Sequence, residues 1–291
     1  MASSRTVKPR TPSLAERARS FGKWAADYDR YRPGYPDELF TTIQRQLDLP
    51  AAPRVADLGA GTGRASMAMA TRGWHVTAIE PSTPMITALR AAAAQSGATI
   101  TAIEAPAEAT GLPDASMDLV TAAQSFHWFD ATRAVPEMAR ITRQGGGAAL
   151  FWNVRNEERS AFLSAYAELL EQHLPAEVLE HGVPADRSES PEKLASGGWF
   201  DVGDRIELEH QVEMAPEDFV GLAFTASYVR AGLNDAGQAR FRDDLRGLID
   251  RHASGGLMAV PYRLDVWLAR RTSVPAAEPT ADAVPALLPE S

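Results

Sequence analysis

Asp57-Leu58-Gly59-Ala60-Gly61-Thr62-Gly63 is the segment of this 291-residue chain whose chemistry is easiest to read. Glycine at 59 and 61 lets the backbone turn tightly and lets a ligand approach where a Cβ would otherwise stand. The run follows a short apolar stretch and opens a helical pattern, the setting in which a glycine-rich loop holds a ligand. Glu80 closes the next strand-like stretch, 19 residues beyond Gly61. A carboxylate at that point can accept both ribose hydroxyls of an adenosine. Loop and acid together predict an adenosine-containing cofactor lying across strand ends. A dinucleotide loop reads G-x-G-x-x-G and offers its helix N-terminus to a pyrophosphate, whereas the spacing here is G-x-G-x-G. Asp57 would repel a pyrophosphate and would suit an ammonium group. S-adenosylmethionine carries a sulfonium, an ammonium and no phosphate, and the electrostatics favour it.

The elements that must position these residues alternate between 54 and 152. Residues 54–58, 74–80, 98–103, 117–123 and 148–152 read as strands, with helical patterns over 62–72, 82–96 and 137–142. Strand–helix alternation at this spacing predicts parallel βαβ units and an α/β fold, a Rossmann-like doubly wound sheet of about seven strands. Beyond 152 the pattern turns helical over 157–174, 216–230 and 236–252, with strand-like stretches at 205–214 and 262–269 completing the far edge of the sheet. The expected organisation is a flexible stretch over 1–19, an N-terminal helical lid over 20–50 and a cofactor-binding core over 51–156. A helical substrate cap with the last two strands follows over 157–271, then a disordered tail over 272–291, which carries four Pro and five Ala.

Composition removes several classes of function. Hydrophobic residues make up 45% and charged residues 23%, within the ordinary globular range. No apolar run is long enough to span a bilayer, and the N-terminus has no apolar signal segment. Cysteine is absent, which excludes disulfides and thiolate chemistry and makes a cytoplasmic location the expectation. A net charge of −9 argues against nucleic acid as a partner. The histidines at 75, 173, 181, 210 and 252 show no metal spacing. The expected partner is a small-molecule substrate, with no membrane and a monomer or homodimer as the assembly.

VADLGAGTGR, HVTAIEPSTPM and APAEATGLPDASMDLVTAAQSFHWFD, taken together, resemble the class I S-adenosylmethionine-dependent methyltransferases. The likeness is to the small-molecule branch that includes trans-aconitate methyltransferase-like proteins. FGKWAADYDRYRPGYP, GGGAALFWNVRN and VPYRLDVWLARR fit the same branch. The resemblance is strong over roughly 20–156 and weak beyond. It implies that Asp57, Gly59, Ala60, Gly61 and Gly63 surround the methionine part of the cofactor and that Glu80 clasps the ribose. Pro81, Ser82 and Met85 would border the adenine, with Ala107 and Glu108 at its amino group. Gln124 and Ser125 would lie beneath the sulfonium. Tyr28 and Arg32 would close over the amino-acid end, Arg32 through its carboxylate; the alternative for Arg32 is a surface ion pair with Asp29 or Asp37.

The segment from Gln124 to Asp130 lies where the methyl group should emerge, since open α/β sheets bind ligands outside the carboxyl ends of their strands. His127 is the first candidate for a general base or an acceptor contact, because an imidazole titrates near working pH; a structural imidazole among core rings is the alternative. Tyr28 is the second candidate. Trp24, Tyr28 and Tyr31 share one helical face and, with Trp128, Trp152, Asn153 and Arg155, are candidates to touch the substrate. Pro136 departs from the family pattern and predicts that its helix starts near 135 or kinks there. The aromatic residues favour a planar acceptor of indole or phenol type in specialised metabolism, whereas Arg32 and Arg155 suit a small carboxylic acid. A nicotinamide-dependent oxidoreductase and a non-catalytic S-adenosylmethionine sensor remain as rival readings.

Overall fold

A computed structural model describes residues 30–176, 178, 189–253 and 256–273. Short Val/Ala/Leu/Ile runs form the parallel strands β1 (Arg54–Leu58), β2 (His75–Ile79), β3 (Ile100–Ile103) and β4 (Met117–Ala123). The helices α1 (Asp37–Gln46), α2 (Arg64–Ala70) and α3 (Thr83–Ser96) lie among them in the chain, and α4 (Ala131–Ile141) leads directly into β5 (Thr142–Arg155). The chain continues through α5 (Ala161–His173), α6 (Ser190–Ala195), β6 (Phe200–Val202) and β7 (Ile206–Met214), then α7 (Pro216–Phe224), α8 (Ser227–Gly232), α9 (Asp235–His252) and β8 (Met258–Arg271).

The sheet runs β3-β2-β1-β4-β5-β8, and the last position is shared by β6 and β7, which pair with opposite ends of β8. Eight strands thus fill the seven positions expected. β1 to β5 are mutually parallel and β8 runs antiparallel to β5. Strand order reverses between β1 and β4, so the crevice beyond their carboxyl ends is the place for a ligand. Both faces of the sheet are covered, and the period-two alternation of a strand divides its side chains between two cores. Val55, Leu119, Ala149 and Phe151 join α1 and α2 on one face. Ala56, Val120, Leu150 and Trp152 join α4 on the other. Gly146 and Gly147 lie where β5 passes between its neighbours: a Cβ would stand 2.6 Å from the Asp118 carbonyl oxygen at Gly146 and 2.5 Å from that of Ala269 at Gly147.

A third core belongs to the helices after β5. Phe162 and Tyr166 of α5, Phe219 of α7 and Phe241 of α9 pack with Val260 and Tyr262 of β8. The rings of Phe162 and Phe219 meet edge to face at 4.8 Å. Burying each such ring contributes on the order of 1.5–3 kcal/mol, which is what holds the helical layer against the end of the sheet.

Several expectations need correction. The helix carrying Pro136 begins at Ala131, where the Asp130 side chain caps it by accepting from the Thr132 N–H, and it runs through the proline to Ile141. Proline removes one donor in that helix, and the buried face of Ala134, Val135 and Met138 outweighs the loss. The short elements α6 and β6 were not legible, being only 6 and 3 residues long. Within the expected lid, residues 20–29 lie outside the described residues. Its helix α1 buries Leu39, Phe40 and Ile43 against the sheet face rather than over the strand ends. The expected tail lies outside the described residues from 274 onward.

Glu137 of α4 fastens the loop after β3. It accepts hydrogen bonds from the Thr110 N–H (2.8 Å) and hydroxyl (2.6 Å) and from the Arg140 Nε (2.7 Å). Arg140 is the main reason its carboxyl is held down at about 2, below the ordinary 4.5, with the Thr110 donors assisting against burial. A depressed carboxyl stabilises the fold above its unfolded value and loses that contribution as pH falls through the folded one. Glu137→Gln should therefore lower unfolding free energy by about 2 kcal/mol at neutral pH. In urea titrations that difference should shrink as the pH drops from 4.5 toward 2.

Candidate cofactor and acceptor site

The glycine loop leaves β1 with Gly59, Gly61 and Gly63 all in the left-handed region, at φ of 63°, 59° and 91°. A Cβ at Gly59 would lie 2.7 Å from the Ser125 Cβ, and one at Gly63 2.7 Å from the Leu89 Cγ. Gly61 has open space instead. Glu80 ties this loop to the start of α3: one carboxylate oxygen accepts the Gly61 N–H at 2.8 Å and the other the Ser82 N–H at 2.9 Å. Burial raises the Glu80 carboxyl, the two amides oppose that, and the charge of Asp57 adds to the rise. Asp57 lies fully buried behind the loop, accepting from the Ser66 hydroxyl at 2.5 Å and the Thr121 hydroxyl at 2.8 Å. Burial pushes its carboxyl up to about 6, against the pull of those hydroxyls.

A cavity of about 200 Å³ opens over the strand ends. Of the expected cofactor contacts, Arg32, Gly59, Ala60, Gly61, Glu80, Pro81, Met85, Ala107, Glu108, Gln124 and Ser125 line it, and so does Trp128. Gln124 holds φ +57°, costly for a residue with a Cβ, and this turns the chain sharply at the end of β4. Its side-chain amide donates to the Asn153 carbonyl at 3.3 Å, and the Ser125 hydroxyl donates to the Leu58 carbonyl at 2.7 Å. Tyr35 and Phe129 also stand on the cavity wall, and so does Arg64, which sequence reasoning missed. Arg64 directly follows the glycine loop, so its position in the motif was the available signal.

Other candidates lie elsewhere. Asp57 and Gly63 support the loop from behind. Trp152, expected at the substrate, is fully buried in the sheet's core, with its ring edge-on to Trp267. Its indole N–H donates to the Nδ1 of His127 at 3.3 Å, so a neutral His127 carries its proton on Nε2. His127 packs against Trp128, with ring centroids 4.9 Å apart, and stands behind the wall rather than on it. Asn153 donates to the Gly34 carbonyl at 3.1 Å and meets the His210 Nε2 at 2.7 Å, joining the N-terminal segment to β7. Tyr31 packs into the helical core against Gly221. The Arg32 Nε donates to the Thr225 hydroxyl at 3.0 Å, while Asp37 pairs with Arg72 instead. Arg155 lies beneath the helices, with Nη2 3.0 Å from the Tyr228 hydroxyl. Trp24 and Tyr28 lie outside the described residues.

Residues 56–150 match the methyltransferase domain family. An uncharacterised methyltransferase of Mycobacterium tuberculosis is 34% identical over 259 residues, spanning 87% of this chain and 96% of its own length. The chain belongs to the class I S-adenosylmethionine-dependent methyltransferases. Membership overturns the oxidoreductase and sensor readings. A solved structure described as a type II methyltransferase from Anaeromyxobacter dehalogenans superposes with a TM-score of 0.60 at 26% identity, covering 83% of this chain and 98% of its own. The [4+2]-cyclase SpnF shares the fold at a TM-score of 0.54 and 16% identity, covering 91% and 99%. Fold alone therefore does not name a reaction. No helix among the described residues is long and apolar enough to cross a membrane.

The raised Asp57 carboxyl gives this methyltransferase a stability signature. Its folded value of about 6 exceeds the ordinary 3.8, so the folded chain takes up a proton between the two. Stability from this group is present below the lower value and is lost as pH rises through the higher, about 3 kcal/mol in all. Asp57→Asn should flatten the unfolding free energy between pH 4 and 6, measured by urea denaturation, whereas the native chain should weaken across that window.

Proposed function

We propose that this methyltransferase passes the methyl group of S-adenosylmethionine to a planar aromatic small molecule, of the indole, phenol or heteroaromatic kind. The observation that carries the reading is one cavity whose wall joins the glycine loop and Glu80 to the rings of Tyr35, Trp128 and Phe129. The donor set fits the cofactor. Open space at Gly61 leaves room for a ligand against the backbone. Glu80 supplies a carboxylate for ribose hydroxyls, while Pro81, Met85 and Ala107 offer an apolar bed for adenine. Glu108, which already accepts the Asp130 N–H at 2.8 Å, borders the same end. Arg64 and Arg32 supply cations for the methionine carboxylate, and Asp57 acts by fixing the loop.

When bound, the cofactor supplies an electrophilic methyl on a sulfonium, open to in-line displacement. The chain's own contribution is to hold the acceptor plane between aromatic side chains, exclude water and set the line of attack, which can lower a barrier by about 7–11 kcal/mol. His127 enters this reading as a positioning residue. Its Nδ1 is engaged by Trp152, and its ring fixes that of Trp128. A base role would require Nδ1 to release the indole N–H. A small carboxylic acid is the second reading, favoured by Arg32 on the cavity wall.

Calorimetric titration tests the cofactor assignment. S-adenosylmethionine and S-adenosylhomocysteine should bind in the micromolar range, and NADH should not. Glu80→Ala should weaken both by about tenfold or more, the loss of a charged hydrogen-bonding partner being worth roughly 1.5–3 kcal/mol. Tight NADH binding, or cofactor affinity unchanged in Glu80→Ala, would refute the assignment.

A further inference from the structure

Beyond Arg32, under the helices, lies a polar cluster that the transfer chemistry does not use. Arg155 ends β5, Tyr166 belongs to α5, Tyr228 to α8 and Tyr262 to β8, so four separate elements converge on it. Tyr262 stands directly opposite Arg155 in the β5–β8 register. The Arg155 guanidinium lies 5.0 Å over the Tyr166 ring and makes one side-chain hydrogen bond, to the Tyr228 hydroxyl at 3.0 Å. A guanidinium has five N–H donors, and no carboxylate among the described residues pairs with this one. Tyr166 is 1% exposed, and its hydroxyl has no hydrogen-bond partner. Burial raises the phenol of Tyr166, and burial raises that of Tyr262 as well, so both stay protonated at neutral pH.

A half-buried guanidinium with no carboxylate partner among the described residues and an unpartnered buried hydroxyl each cost free energy. Both costs vanish if an oxyanion sits between them, accepting from the guanidinium fork and from phenol hydroxyls. Arg32 lines the cavity and donates to the Thr225 hydroxyl at 3.0 Å, three residues before Tyr228, which sets the cluster beside the cavity wall.

We infer that Arg155, Tyr166, Tyr228 and Tyr262 form a subsite that holds an anionic group of the acceptor, a carboxylate or phosphate monoester, away from the methyl-transfer point. The inference rests on the reading that the acceptor occupies the cavity, and it merges the two substrate readings into one class: aromatic molecules bearing an oxyanion.

The test titrates the full chain, loaded with S-adenosylhomocysteine, with benzoate, benzamide and phenyl phosphate in a calorimeter. Benzoate or phenyl phosphate should bind at least about tenfold more tightly than benzamide, and the stronger of the two names the oxyanion. Arg155→Met keeps the aliphatic stem and should abolish the preference. Tyr166→Phe keeps the ring; it should raise Tm by deleting an unpartnered hydroxyl and should weaken anion binding several-fold. A merely structural Tyr166 would change Tm alone. Equal binding of benzoate and benzamide, no anion binding at tens of millimolar, or a preference that survives Arg155→Met overturns the inference. Failure of S-adenosylhomocysteine to bind would instead strike at the cofactor assignment, and the same anion titrations on the ligand-free chain would still decide the subsite.

Discussion

A buried carboxylate, paired with no cation among the described residues, organises the glycine-loop end of this methyltransferase. Asp57 accepts from Thr121 of β4 and Ser66 of α2, so a single side chain links the two strands flanking the switch point and the helix that follows the glycine loop. Burial works against the charge strongly enough to move the carboxyl to about 6. Glu80 is buried a short distance away, and the charge of Asp57 raises it further. Two acids in electrostatic contact place negative charge behind and beside the glycine loop. A ligand with fixed positive charge relieves that repulsion, whereas a pyrophosphate would add to it.

Geometry tightens the same constraint. Gly59 must lack a side chain because Ser125 occupies the place its Cβ would take. Ser125 is held there by its bond to the Leu58 carbonyl and by the left-handed turn at Gln124. The loops after β1 and β4 therefore interlock, and strain at Gln124 is tolerated because both neighbours over-determine its position. What faces the ligand is set by backbone that cannot relax independently.

This interlock explains which residues were legible in the sequence. The cofactor half of the cavity is built from motifs local in the chain: a glycine loop, an acid 19 residues beyond Gly61 and the ends of strands with clear periodicity. Residue type and spacing are enough to place such groups. Trp152 illustrates the opposite case. Its position after a strand suited a substrate contact, yet alternation along β5 turns it to the face carrying Trp267 and α4, where a large ring packs better than it could in a solvated cavity. β6 was illegible because 3 residues carry no period, and its pairing depends on a partner some 70 residues later. Pro136 misled for a related reason, since propensity judged alone ignores the buried face that keeps its helix whole.

The acceptor half depends on long-range convergence, and its electrostatics are the inverse of the cofactor half. Asp57 and Glu80 put two acids at the glycine loop, Arg64 and Arg32 stand on the cavity wall for the methionine carboxylate, and Arg155 puts a cation under the helices. Charges of opposite sign at the two ends of a site orient a bipolar pair before any contact is optimised. On the acceptor class proposed above, a cationic donor would lie at the glycine loop and the acceptor's oxyanion toward the helices, with the donor's methyl and the acceptor's ring between them. In that arrangement the oxyanion would be kept from competing as nucleophile, because the group most attracted to the sulfonium would be held at the far end by the arginine.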